Sequence, residues 1–187
     1  MANPIKRRHI AYLTALILSS AAVFFWAQND ISTAHVVVRP YEATRDYEPL
    51  VRIMTENHFW ISERQEMSPQ RVLTWRAPMD NPERKGEAAI DVVQSDEETA
   101  GFITYFKKSP KVGYIWMMAV DKPYRGQGLA KKLMERALSE LKAQKVSYVT
   151  IFARTINEPA IRLYKKMGFL EQHRDEQHGI VELIKHF

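Results

Sequence analysis

Arg125-Gly126-Gln127-Gly128-Leu129-Ala130 stands where an apolar stretch, Tyr114–Val120, passes through Asp121–Tyr124 into an amphipathic one. Two glycines at a strand-to-helix junction let the backbone approach a bulky ligand with no Cβ in the way. The first N–H groups of a helix have no internal acceptor, and the peptide dipoles add partial positive charge there. Such a junction can hold a phosphate with backbone alone. Gly126 and Gly128 equally suit a tight connection that binds nothing. Two other phosphate loops are excluded by residue type. Position 131 is Lys where a dinucleotide loop needs a third glycine, and the chain has no G-K-[ST].

Arg125, Gly128 and Ala130 spell R-x-x-G-x-A. Downstream, Asn157-Glu158-Pro159-Ala160-Ile161-Arg162-Leu163-Tyr164-Lys165-Lys166-Met167-Gly168-Phe169 spells N-x-x-A-x-x-L-Y-x-x-x-G-F. With the strand-like Val146–Ala153 between them, the two segments resemble the GNAT superfamily of N-acetyltransferases. The resemblance runs from about Val36 to the C-terminus. It implies acetyl-CoA as acetyl donor. It also implies a pyrophosphate held by backbone N–H groups of Gly126, Gln127, Gly128, Leu129, Ala130 and Lys131, with Arg125 at the entrance. Unpaired backbone groups of Met118, Ala119 and Val120 are implied for the pantetheine arm, one N–H doubling as oxyanion donor. Asn157 is implied as a cofactor contact, besides its place as a helix cap. Tyr164 is implied as the general acid for the departing thiolate.

Acetyl transfer to an amine needs a gripped cofactor, a polarised carbonyl, a neutral amine and a proton for the leaving thiolate. The base has no such support. Many members of the superfamily carry a Glu on the strand before the loop, and Tyr114–Val120 holds no acid. Glu56, His58, Glu63 or water could serve. Glu56-Asn57-His58-Phe59-Trp60 sets an acid among aromatics, which suits a cationic amine and marks Glu56, His58 and Trp60 as acceptor-side candidates. Each has a plainer reading: Glu56 and His58 as solvated surface, Phe59 and Trp60 as core. Tyr164 could likewise be a packed core tyrosine. The histidines show no i,i+4 pair beside an acid, which argues against zinc. There is no G-x-S-x-G nucleophile elbow.

The elements that must position these residues follow from periodicity. Val36–Arg39 is β-branched and reads as a strand; Asp46–Asn57 reads as a helix on Leu50, Ile53 and Met54. Ser68 and Pro69 start a second helix that ends before Pro78, and a polar loop spans Asp80–Glu87. Ala88–Val93 and Ala100–Lys107 form a hairpin joined by Asp96-Glu97-Glu98, followed by a strand at Gly113–Val120. A helix over Gln127–Ala143 turns Ala130, Leu133, Met134, Ala137, Leu138 and Leu141 to one side. After Val146–Ala153, Asn157 caps a helix over Glu158–Met167 that Gly168 ends. Leu170–His173 and Ile180–His186 close the fold. The order predicts an α/β domain, residues 36–187, with one mixed sheet of about six to seven strands and about four helices; the resemblance implies that this is the acyl-CoA N-acyltransferase fold.

The remaining residues divide into a segment 1–29 and a linker 30–35. Ile10–Asn29 carries no formal charge, Lys6, Arg7 and Arg8 precede it, and Phe24-Phe25-Trp26 closes its apolar part. About 20 helical residues reach roughly 30 Å, the hydrocarbon thickness of a bilayer. The segment reads as a single-pass membrane anchor through residues 10–29, or as a cleaved signal peptide of an exported protein. The basic flank places the N-terminus on the cytoplasmic side. That conflicts with a cytosolic acetyl donor, so the side stays open. Hydrophobic residues at 45% and charged residues at 26% are ordinary for a globular protein. The absence of Cys excludes disulfides and a thiol nucleophile. A net charge of +5 suits a polyphosphate cofactor and falls short of a nucleic-acid surface. The leading expectation is an acetyl-CoA-dependent N-acetyltransferase acting on a primary amine, of a small molecule or a protein, with no metal and with room for a homodimer. A non-catalytic acyl-CoA-binding module is the alternative.

Overall fold

In the computed structural model, residues 35–61 and 88–187 are described. The expected N-terminal segment 1–29, the linker up to residue 34, Glu63, the helix after Ser68 and the loop 80–87 lie outside the described residues. Among the described residues, no helix is long and apolar enough to cross a membrane.

The chain runs β1 (Val36–Pro40), α1 (Ala43–Ile61), β2 (Ala89–Ser95), β3 (Glu98–Ser109), β4 (Val112–Val120), a 3-10 turn (Lys122–Tyr124), α2 (Leu129–Ala143), β5 (Tyr148–Arg154), α3 (Glu158–Lys166), β6 (Leu170–Asp175) and β7 (Ile180–His186). The strands form one seven-stranded mixed sheet in the order β1-β2-β3-β4-β5-β7-β6. Only β4 and β5 are parallel; α2 supplies the crossover that a parallel pair requires. The expected sheet is therefore present, with three α-helices among the described residues. Boundaries move by a residue or a turn: α1 is longer at both ends, Glu98 belongs to β3, and α2 begins at Leu129.

Each face of the sheet is closed by a helix. Val93, Ile103, Ile115 and Ile151 share a core with Leu129, Leu133, Met134, Ala137, Leu138 and Leu141 of α2. Leu129 takes the buried place expected of Ala130, which is half-buried. Val92, Phe102, Met117 and Ala119 pack with Leu50, Ile53 and Met54 of α1. Each large apolar side chain buried this way contributes about 1.5–3 kcal/mol. The first turn of α1 is fastened by a buried carboxylate. Asp46 accepts two bonds from the Arg39 guanidinium (2.6 and 2.8 Å), one from the Glu42 N–H (2.8 Å) and one from the Thr99 hydroxyl (2.8 Å). Burial by itself raises the pKa of Asp46. The bonds from Arg39, Glu42 and Thr99 outweigh it and bring the pKa down to about 2.

Candidate functional site

A β-bulge in β4 opens the site. Thr104 pairs with Met117 and Tyr105 with Ile115, so Trp116 is an extra residue on β4. Up to that point β4 pairs with β5, Val112–Ile115 against Tyr148–Ile151. Beyond it β5 continues to Arg154 paired with β7 alone. The two parallel strands part, and a cleft forms between their C-terminal ends.

The exposed edge of β4 can be read from the ladder. The Asp121 N–H bonds to the Ala100 carbonyl at 2.8 Å, and Gly101 pairs with Val120 and Phe102 with Ala119. Antiparallel pairs alternate between bonded and non-bonded. The backbone groups of Ala119 therefore face β3, and those of Met118 and Val120 face the parted side. Of the predicted trio, two residues present their backbone to the cleft.

The loop after β4 is built on the buried Asp121, whose carboxylate accepts from the Lys122 N–H (2.7 Å) and from Arg52 of α1 (2.7 Å). Gly126 and Gly128 both have φ of 79°, and a Cβ at either would meet nothing within 4 Å. Backbone conformation, not crowding, selects glycine here. The N–H groups of Lys131 and Lys132 turn back to the Gly128 carbonyl (3.1 and 3.3 Å). Lys131 thus drops out of the predicted set of free donors. The N–H groups of Gly126, Gln127, Gly128, Leu129 and Ala130 have no acceptor among the described residues. They crowd one helix start, where partial positive charge accumulates.

The cleft holds about 480 Å³. Its lining takes in most of the predicted cofactor residues: Met118, Ala119, Val120, Arg125, Gly126, Gly128, Leu129, Ala130, Lys131 and Asn157. Asn157 also caps α3, its side chain accepting from the Ala160 N–H at 3.4 Å. Trp60 lines the cleft too, 44% exposed and edge-on to Phe59, so neither aromatic is core.

Other predicted residues lie elsewhere. The Gln127 amide donates to the Pro123 carbonyl (3.3 Å), outside the lining. Glu56 is exposed and pairs with Arg52 at 3.9 Å, and the exposed His58 ring contacts the Thr55 carbonyl at 3.0 Å. Neither lines the cleft. They flank, one on each side, the face of α1 that carries Asn57, Trp60 and Ile61 at i, i+3 and i+4. Tyr164 is 5% exposed, packed with Phe169 and outside the lining. Burial pushes its pKa up. Its hydroxyl has no hydrogen-bond partner among the described residues, where no fully buried side-chain polar atom lacks one. The hydroxyl therefore keeps a sliver of open access.

Arg125 is the main surprise. Its Nε donates to the Val120 carbonyl (3.0 Å) and its Nη2 to the Asn57 side-chain oxygen (2.7 Å). The guanidinium of this exposed residue spans from strand edge to helix at the cleft wall. Asn57, which the sequence reading passed over, is 5% exposed and also donates to the Ile53 carbonyl (2.7 Å). A signal existed: position 57 continues the Leu50, Ile53, Met54 stripe, and a polar residue on a core stripe needs a reason. Tyr124, Ile61, Pro159, Ala160 and Leu163 complete the wall. Among the described residues no carboxylate lines the cleft, and no cluster of His, Asp and Glu could hold a metal ion.

The model of the Acetyltransferase (GNAT) family covers residues 47–169. The chain belongs to this family. N-alpha-acetyltransferase 30 of Saccharomyces cerevisiae is 39% identical over 62 residues, 33% of this chain and 35% of that protein. The SPbeta prophage-derived uncharacterized N-acetyltransferase YokL of Bacillus subtilis is 37% identical over 93 residues, 47% of this chain and 51% of that one. These matches span about a third to a half of the relatives' own length. The NatC complex bound to Gag peptide and CoA contains a chain of the same fold, with a TM-score of 0.63 at 21% identity, covering 82% of this chain and 99% of that one.

Proposed function

We propose that this GNAT acetyltransferase moves the acetyl group of acetyl-CoA to a primary amine by direct attack in a ternary complex, with an α-amino group as acceptor. The observation that carries the reading is one cleft with two chemistries on its walls. The unengaged N–H groups from Gly126 to Ala130 suit a pyrophosphate. The parted edge at Met118 and Val120 suits an amide-bearing arm and offers an N–H for the oxyanion. Trp60 and Ile61 face them from α1. The amine enters neutral and its nitrogen bonds the thioester carbonyl carbon. The carbon–sulfur bond breaks, the thiolate takes a proton from the Tyr164 hydroxyl, and the proton shed by the nitrogen restores it. Burial keeps Tyr164 protonated throughout the working pH range.

An α-amine is favoured for two reasons. Its pKa of about 8 leaves a useful neutral fraction near pH 7, whereas a lysine amine near 10.4 needs a base. No carboxylate lines the cleft among the described residues. The name of the yeast relative and the peptide-bound neighbour agree with such an acceptor. The buried place of Tyr164 favours the alternative, acyl-CoA binding without turnover. One experiment separates the two. The full chain is incubated with acetyl-CoA and two peptide pools, one with free α-amines and no lysine, the other amino-terminally blocked with lysine. Acetylation of the first pool in mass spectra is the expected result. Acetylation of the second alone would remove the α-amine assignment. CoA binding with neither pool modified would favour the binding module.

A further inference from the structure

Three side-chain contacts fasten the C-terminal half of α1 to the two lips of the cleft. On the β4 side, Arg52 reaches Asp121 at 2.7 Å and Asn57 receives Arg125 at 2.7 Å. On the β5 side, Arg154 donates to the Phe59 carbonyl and lays its guanidinium 4.3 Å from the centre of the Phe59 ring. The helix end therefore bridges the gap that the bulge at Trp116 opens. Asn57 is the most buried member of this set that faces the cleft. Its oxygen receives Arg125, and its nitrogen is committed to the Ile53 carbonyl within the helix.

The chemistry of the Arg125 contact separates it from an ordinary ion pair. Both of its acceptors, the Val120 carbonyl and the Asn57 amide, are neutral. The guanidinium is held one residue before the glycine turn with no carboxylate partner among the described residues. An anion seated on the turn would attract it. Any tightening of that group is passed to Asn57, and through the helix to Trp60 one turn on.

We propose that Asn57 is a positioning residue that couples the two halves of the cleft: cofactor seated on the glycine turn orders the end of α1 through Arg125 and Asn57, and so shapes the acceptor wall at Trp60 and Ile61. This rests on the reading of the turn as the CoA site. Arg125 acts on the anion through its field and on the acceptor wall through its bond.

Hydrogen exchange of the full chain, with and without CoA, tests the coupling without needing an acceptor. In the wild type, CoA slows exchange both in the turn, residues 126–131, and in the helix end, residues 57–61. In Asn57→Leu the slowing at the turn stays and the slowing at the helix end is lost. Asn57→Asp keeps an acceptor for Arg125 but loses the donor to Ile53, and it restores the helix-end response. Retention of the turn response serves as the folding control. If Asn57→Asp behaves like Asn57→Leu, the bond to Ile53 is what matters and the coupling is wrong. A helix end that ignores CoA in the wild type, with the turn protected, overturns the coupling alone. No protection of the turn overturns the CoA reading and the coupling with it.

Discussion

The two walls of the cleft are made of different material. The wall after β4 is backbone: N–H groups from Gly126 to Ala130 and the outward edge at Met118 and Val120. The wall on α1 is side chain: Asn57, Trp60 and Ile61. A backbone wall needs particular φ values, and residue type betrays those. A side-chain wall needs only a helix face, and which face is decided by packing elsewhere. The first is general to any ligand with a phosphate, while the second is free to differ with the acceptor.

The sharpest test of the backbone wall is Gly128→Asp. A non-glycine residue at this left-handed φ costs about 1–2 kcal/mol, and a carboxylate there repels a pyrophosphate. Calorimetry is expected to detect no CoA binding by a folded variant. Unchanged affinity would mean that the turn is a mere connection. Next comes Tyr164→Phe, which touches neither wall. Turnover should fall about a hundredfold with CoA affinity and melting temperature unchanged, because the hydroxyl bonds no described residue. A variant turning over at the wild-type rate would make Tyr164 a core residue only.

The side-chain wall depends on how α1 is seated, and Asp46 fastens its first turn to β1 and β3. The folded-state pKa of Asp46, about 2, lies below the ordinary aspartate value of 3.8. Its contribution is complete above that value and is lost as pH falls through the folded pKa. A shift of this size corresponds to roughly 2 kcal/mol. Denaturant unfolding should show stability dropping between about pH 4 and pH 2, and Asp46→Asn should flatten that part of the profile. An unaltered profile would place the acid sensitivity elsewhere. The smallest effect expected is that of Trp60→Ala. A half-exposed aromatic lost from the acceptor side should raise the KM for the amine about tenfold, near 1.4 kcal/mol, and leave CoA affinity alone. A change in CoA affinity instead would dissolve the distinction between the walls.

The same distinction governs what the sequence discloses. The turn, the capping Asn157 and the succession of strands along the chain were all legible, because glycine at positive φ, a cap residue and alternating apolar stretches leave local marks. Glu56 and His58 looked like acceptor groups because they neighbour Trp60 in sequence, yet a helix turns adjacent residues to different sides. Asn57 was hidden between them. Arg125 matched its motif by type, while its guanidinium is placed by Asn57, 68 positions away in the chain. The bulge at Trp116 left no mark either, since burial alternates along β4 without interruption.

That uninterrupted alternation conceals a change of parity. Upstream of Trp116 it is the odd-numbered Ile115 that joins the α2 core; downstream it is the even-numbered Met118 and Val120 that pack against it, while Met117 and Ala119 go to α1. One strand is thus wired to two cores in opposite phase, and a single inserted residue is the junction. Removing Trp116 would join Ile115 to Met117 in an unbroken alternation, with every downstream side chain keeping its face. Both helices would keep these contacts, while the bulge that parts β4 from β5 would be gone. A one-residue deletion thus separates the cleft from the core, because it removes the feature that opens the first and leaves the phase of the second intact.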